Sequence, residues 1–96
     1  MWGMIARITT VSGNRETMIE VLKESAGKMS GCLEFLVAKD SADENVLWVT
    51  EAWDSQASHD ASLTLPQVQT AMARASSLVA KFEKIAVTQP VWRAGL

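Results

Sequence analysis

The sequence predicts an α+β domain in which one antiparallel sheet carries helices on a single face. Short apolar segments typical of strands alternate with two regions of helical spacing, in the order strand, helix, strand, strand, helix, strand. A polar turn over residues 40–45 joins the two central strands, which indicates an antiparallel hairpin. Split βαβ units in this order fold into one sheet with both helical regions on the same side, the ferredoxin-like βαββαβ arrangement.

The first half of the chain supplies a strand and a helix. Residues 4–11 are a predicted strand in which apolar side chains are mixed with threonines. Residues 12–14, Ser-Gly-Asn, break this strand and offer side-chain oxygens that can cap a helix. From residue 15 to about residue 29, apolar residues recur at steps of three and four, so an amphipathic helix is predicted there.

The central hairpin is predicted from residues 32–39 and 46–53. Both strands carry apolar side chains at successive positions, without the alternation of a strand that has one solvated face. A strand that is apolar on both sides is covered on both sides. One layer of helices covers only one face of a sheet, so we expect the other face to pack against a second copy of the chain.

The second half continues with two helical pieces and a last strand. A short helix is expected over residues 54–63. Residues 64–67 resemble a capping box, with Pro66 early in the next helix, where its missing N–H costs nothing. The apolar stripe of that helix consists of Val68, Ala71, Met72, Ala75 and Val79. A strand is predicted over residues 82–87, and no element is assigned to residues 91–96.

Length and composition limit the protein further. The 96 residues have the length of one domain, so residues 1–96 are assigned to a single unit. Hydrophobic residues make up 48% of the chain and there are four Trp, which is more apolar material than one small core hides. We expect part of it to line a pocket and part to be buried against the second subunit of a homodimer.

Several classes of partner are not expected. The net charge is −2, with Lys and Arg scattered singly, which argues against nucleic-acid binding. Cys32, the one cysteine, cannot form a disulfide within the chain, and no window contains the about 18 apolar residues of a membrane span. These features favour a cytoplasmic protein. No Gly-rich phosphate loop is visible, and one His with one Cys cannot build a His/Cys metal site, so no cofactor or metal is expected.

His59 is the candidate catalytic residue, because its side chain can exchange protons near neutral pH without a large shift of its pKa. At helical spacing it shares a face with Ser62 and Leu63. If that face points inward, His59 meets a pocket between helix and sheet; if it points outward, His59 is solvated. The spacing alone favours the outward orientation.

The strand that ends at Trp53 carries other candidates. Trp48 and Trp53 are five positions apart, so they point to opposite faces of the sheet. Glu51 shares the face of Trp53. Strand carboxylates such as Glu51 and Glu34 either form ion pairs, for example with Arg7, or act as a base of raised pKa.

The segment over residues 48–69 reads WVTEAWDSQASHDASLTLPQVQ. With the Gly31-Cys32 strand start and the late Pro90, it resembles the antibiotic biosynthesis monooxygenase family. The resemblance implies a dimeric α+β barrel that oxygenates quinol- or anthrone-like aromatics with dioxygen, without metal or flavin. It implies His59 as base or hydrogen-bond donor, and Arg7 as a group that steadies an anionic oxygen. The implied pocket residues are Trp48, Trp53, Phe35, Met72 and Ser62.

Two departures from the family pattern bear on the reaction. Anthrone oxygenases of the family use a Tyr in the pocket, and this chain has none. Ser62 and Met72 stand where haem-degrading relatives carry a Trp and a His, so haem degradation is not expected. Two alternatives remain: a non-catalytic barrel that binds a small hydrophobic ligand, and a different small-molecule reaction such as isomerisation or decarboxylation.

Overall fold

The computed structural model describes residues 1–94. These residues form four strands in one sheet and three helices. In chain order the elements are β1 (Trp2–Thr10), α1 (Arg15–Ser25), β2 (Cys32–Lys39), β3 (Val46–Trp53), α2 (Gln56–Ser62), α3 (Pro66–Ala75) and β4 (Val79–Thr88). The predicted α+β ferredoxin-like fold is therefore confirmed. Gly95 and Leu96, which end the predicted domain and its tail, lie outside the described residues.

The sheet has the strand order β2-β3-β1-β4, with every neighbouring pair antiparallel. Trp2 lies opposite Trp53, and Ile8 lies opposite Leu47. Because side chains alternate along a strand, the even-numbered residues of β1 and the odd-numbered residues of β3 share one face. The helices cover this face, and we call the other one the open face.

The core lies between the helix-covered face and the helices α1 and α3. Its buried apolar side chains are Ile8, Met18, Val21, Leu47, Val49 and Ala71. Val21 and Leu47 are fully buried, with 0% of their surface exposed. Burial of such side chains contributes roughly 1.5–3 kcal/mol each relative to leaving them in water, so this layer fixes the helices on the sheet.

Both strands of the hairpin have the predicted limits, whereas other boundaries differ. Helix α1 ends at Ser25 rather than near residue 29, because the chain turns through Gly27 and a left-handed Lys28 with φ +41°. The predicted capping box is wrong: Leu65 is the N-cap of α3 and makes no side-chain cap bond, although Pro66 opens the helix as predicted. Val79, predicted on the helical stripe, instead begins β4.

Gly31 brings α2 close to the start of β2. Its φ is +82°, a conformation that favours glycine, and a Cβ at this position would lie 2.7 Å from side-chain atoms of Ser58 and Asp54. The Asp54 N–H donates to the Gly31 carbonyl over 2.9 Å. Ser55 caps α2 by accepting a hydrogen bond from the Ser58 N–H. The helix is thereby held at the end of the sheet where β3 finishes.

Helix length also bears on membranes. Helix α1, with 11 residues, is the longest within residues 1–94. None of the helices in this range has the length and apolar character that crossing a bilayer requires.

Candidate functional site

A cavity of about 420 Å³ lies between the helix-covered face and the helices. All three helices and all four strands contribute to its lining, which is mostly aliphatic, aromatic and methionine side chains. Glu51 and His59 are the two ionisable side chains among the described residues that line it. An apolar cavity with a few polar groups at defined positions is the usual form of a site for a small organic ligand.

His59 points into this cavity from α2, and only 12% of its side chain is exposed. Its ring lies against Trp2, with centroids 4.5 Å apart, and edge-on to Trp53 at 5.6 Å. The outward orientation favoured by the helical spacing is therefore wrong. The orientation of such a short helix about its axis is set by its contacts with the rest of the protein, here with Gly31, Trp2 and Trp53. The sequence of the helix itself does not reveal these contacts.

Asp60 contacts the ring of His59 and favours one tautomer. The Asp60 carboxylate contacts Nδ1 of His59 at 3.0 Å. Because a carboxylate only accepts hydrogen bonds, this contact favours the tautomer that has its hydrogen on Nδ1 and a lone pair on Nε2. Asp60 itself is largely exposed, so it also offers a partly solvated counter-charge to a protonated imidazole. His59 is thereby set up to accept a proton at Nε2.

Four other predicted pocket residues line the same cavity: Trp53, Phe35, Met72 and Ser62. Trp53 is 1% exposed, whereas Met72 is 54% exposed and borders solvent. The Ser62 hydroxyl donates to the His59 carbonyl over 2.6 Å, so its hydrogen is already used within the helix. Ser62 can therefore act toward a ligand only as an acceptor.

Arg7 and Trp48 do not belong to this cavity. Both lie on the open face, where the Arg7 guanidinium is 5.5 Å from the centre of the Trp48 ring. Nε and Nη2 of Arg7 donate to the two carboxylate oxygens of Glu83 over 2.9 and 2.8 Å. Their placement in the pocket, which the family resemblance implied, is therefore wrong. The alternation along β1 and β3 excludes this, because it sets them apart from Ile8 and Trp53.

Glu51 lies on the floor of the cavity, in β3. Nε1 of Trp53 donates to its Oε1 over 3.0 Å. Burial raises the pKa of the Glu51 carboxyl, while the bond from Trp53 and the nearby His59 oppose this rise. The floor therefore carries a carboxyl group that holds its proton more tightly than a solvated one does.

Comparison with known proteins identifies the family. The family model described as antibiotic biosynthesis monooxygenase matches residues 1–74. The chain belongs to the antibiotic biosynthesis monooxygenase family. A protein of Chloroflexus aurantiacus, named as a candidate antibiotic biosynthesis monooxygenase, is 40% identical; the match covers 98% of this chain and 96% of that one, with a TM-score of 0.90. No curated protein matches the chain.

More distant solved structures show the same fold. A protein of Nitrosomonas europaea, named in the same way, is 12% identical over 96% of this chain and 100% of that one, with a TM-score of 0.86. A protein of Mycobacterium tuberculosis is 20% identical over 98% of both chains, with a TM-score of 0.80. The ferredoxin-like fold is therefore shared with proteins of low sequence identity.

In this family member, Trp2 is the contact of His59 that the sequence analysis missed; it packs on the His59 ring without lining the cavity. The predicted strand began at residue 4, whereas β1 begins at Trp2. The available signal was its even spacing from Met4 and Ile8, which places the three side chains on one face of a strand. Residues 1–94 contain no group of three His, Cys, Asp or Glu side chains suited to hold a metal ion.

Proposed function

We propose that this chain is a cofactor-independent monooxygenase that oxidises a small reduced aromatic, quinol- or anthrone-like, with dioxygen in the cavity beneath the helices. The observation that carries this proposal is His59, which is inward-facing, set between Trp2 and Trp53, and oriented by Asp60. Family membership supports the class of reaction. The cavity volume of about 420 Å³ falls within the range of small-ligand sites.

The chemistry asks little of the protein. An electron-rich phenol becomes a strong reductant once it loses its hydroxyl proton, and the anion can then transfer electrons to dioxygen directly. His59 takes that proton at Nε2, and the Asp60 carboxylate stabilises the imidazolium that forms. The apolar walls exclude water from the anion and from the reactive oxygen species. The imidazolium then returns the proton to the peroxide that forms on the substrate.

The same proposal includes a homodimer built through the open face. Leu36 lies on this face and is 53% exposed, although it is a large apolar side chain. Ile5 stands in the same cross-strand row, two strands away. A second copy of the chain would cover this row and form the barrel that the family resemblance implies.

The first test is oxygen uptake by purified protein with a panel of hydroxyanthrones and reduced quinones. We expect uptake above autoxidation and one oxygen atom in the product. The variant His59→Ala should lose about tenfold or more in turnover, the usual contribution of a proton-transferring side chain. Added imidazole should restore part of this turnover, because the vacated space between the two tryptophans can hold it.

The control is the fold of the variant, followed by circular dichroism and by binding of a hydroxyanthraquinone, an unreactive product-like ligand. Unchanged turnover in His59→Ala removes His59 from the mechanism. Ligand binding that quenches Trp fluorescence without any oxygen uptake would instead identify a binding module. A product without an added oxygen atom would indicate another reaction, such as isomerisation or decarboxylation.

A further inference from the structure

The surroundings of the Glu51 carboxyl group stabilise its negative charge only weakly. Its neighbours across the sheet are Met4 on β1 and Phe35 on β2, both apolar. The one hydrogen bond to its carboxylate within residues 1–94 comes from Nε1 of Trp53, to Oε1. A carboxylate in an apolar cavity is costly unless several donors or a cation stabilise it. Glu51 has one neutral donor.

The charged and titratable groups around Glu51 are few. His59 faces it from α2, and the Cys32 thiol interacts with it from β2. The cavity-lining side chains of α1, α3 and β4 carry no charge among the described residues. Burial and the Glu51 charge both raise the pKa of the Cys32 thiol, so that thiol is neutral and does not compensate the carboxylate. Arg93 lies near Cys32 and, with Glu51, borders the pocket on the open face. Among the described residues that line the cavity beneath the helices, His59 is the one side chain that can become positive.

A purely structural role does not explain a carboxyl group at this position. A glutamine side chain has nearly the same shape, and its carbonyl oxygen could accept the Trp53 N–H equally well. It would do so without the cost of burying a charge. What a carboxyl group adds to a glutamine is the ability to take up and release a proton.

We propose that Glu51 is a second catalytic residue, which transfers a proton from the reacting carbon to the departing oxygen after dioxygen has added to the substrate. This inference rests on the proposed monooxygenase function. At that stage the reacting carbon carries a hydroperoxide group and one hydrogen. Glu51 lies on the sheet floor, and His59 lies in α2, beside the end of the sheet where β3 finishes. A planar ring lying on the sheet would meet Glu51 at its face and His59 at its edge.

Glu51 alone can carry out both proton transfers of this step. The Glu51 carboxylate removes the remaining proton from the carbon, and the C–H electron pair becomes the second bond of a carbonyl to the inner oxygen. The O–O bond breaks, and the outer oxygen leaves with its electron pair. Glu51 then donates its proton to that oxygen, which departs as water, and Glu51 is again ionised. Dioxygen is the oxidant: one atom enters the product and the other enters water.

Geometry distinguishes this proton from the first one. A phenolic hydroxyl proton lies in the plane of the ring, so it is accessible to a base at the ring edge, such as His59. The C–H bond that breaks during carbonyl formation must align with the π system, perpendicular to the ring. A base on the sheet floor approaches from that direction. The raised pKa of Glu51 also brings it closer to neutral pH, where a carboxyl group can both accept and donate a proton more effectively than a solvated one.

The decisive variant is Glu51→Gln, with Glu34→Gln as the matched control on the neighbouring strand β2. We expect Glu51→Gln to consume dioxygen but to release a hydroperoxide, seen by mass spectrometry as substrate plus two oxygen atoms. Turnover to the final product should fall about tenfold or more, whereas Glu34→Gln should match the wild type. The acidic limb of the pH profile of kcat should disappear in Glu51→Gln, because the carboxylate is the reactive form.

Each outcome has a defined meaning. Normal product from Glu51→Gln at the wild-type rate would overturn the role of Glu51 and leave the proposed function intact. No oxygen uptake by the wild type would overturn both. Because Gln keeps the Trp53 bond and removes a buried charge, Glu51→Gln should melt no lower than the wild type at pH 8. Parallel loss of stability, hydroxyanthraquinone binding and turnover would assign Glu51 a structural role instead.

Discussion

At the scale of single residues, the hydrogen-bond donors around Asp40 show how the open face is organised. Nε1 of Trp48 donates to Oδ1 of Asp40 over 2.8 Å. The N–H groups of Ala42 and Asp43 donate to Oδ2 over 3.0 and 2.8 Å. The Trp48 bond, followed by these two, lowers the pKa of Asp40 to about 2. Trp48 thus ties the hairpin turn to β3.

These bonds predict a pH-dependent contribution to stability. The pKa of Asp40 in the folded state lies below its ordinary value of 3.8, so its ionised form favours the folded state. This contribution is fully present above pH 3.8 and is lost as the pH falls toward 2. Asp40→Asn should therefore lower the Tm by a few degrees at pH 7, because the amide accepts fewer of these bonds.

The measurement is thermal unfolding of the wild type and Asp40→Asn from pH 7 to pH 2. The difference in Tm should shrink as the pH falls through 3.8. Asp43→Asn is the control, since its side-chain bond is a local one to the Asn45 N–H. A difference in Tm that is the same at all these pH values would show that the ionisation of Asp40 does not couple to folding.

The residues also show how far the sequence determines the site. The period of two in a strand places Trp48 and Trp53 on opposite faces, as predicted, because that alternation is a local property. The orientation of His59 and the ion pair between Arg7 and Glu83 depend on contacts between elements far apart in the chain. Local spacing carries no information about such contacts.

At the scale of elements, the hairpin was predictable to the residue, but the end of α1 was not. Polar residues 40–45 separate two strongly apolar strands, so the limits of β2 and β3 follow from composition. In α1 the apolar repeat continues to Met29, which lines the cavity although it lies beyond the helix. A residue can keep its position on the apolar side after the helical hydrogen bonds have ended.

Strand β3 sits second in the sheet and carries much of the core, which leads to a stability prediction. Leu47 is 0% exposed and packs in the layer between sheet and helices. Leu47→Ala should lower the free energy of unfolding by about 2–5 kcal/mol, through lost burial and the cavity left behind. Urea unfolding measures this. Val11→Ala is the control, at a site 46% exposed, and should cost below about 1 kcal/mol.

At the scale of the whole molecule, the two sides of the sheet differ in what they carry. The helix-covered side holds the cavity with His59 and Glu51. The open side is apolar around Ile5, Leu33 and the nearby Trp92, which is 80% exposed. Exposed apolar patches of this kind mark interaction surfaces. We therefore expect the cavity to be complete within one chain and the open face to be the surface of assembly.

The last prediction tests this assembly. In a two-fold dimer each copy presents the same patch, so Leu36→Arg would introduce an unpaired cation on both sides of the interface. We expect the dimer dissociation constant to rise at least about tenfold, which corresponds to roughly 1.4 kcal/mol. Sedimentation velocity over a concentration series measures it. Val11→Arg, at an exposed apolar site in the loop after β1, is the matched control and should remain dimeric.

The same variant can distinguish ligand binding in the cavity from dimerisation through the open face. If each cavity is complete within one chain, monomeric Leu36→Arg should still bind a hydroxyanthraquinone, since Leu36 lies on the open face and does not line the cavity. Loss of ligand binding together with dissociation would show that the second copy supports the cavity. A wild type that sediments as a monomer at micromolar concentration would contradict the dimer, and the apolar open face would then need another partner.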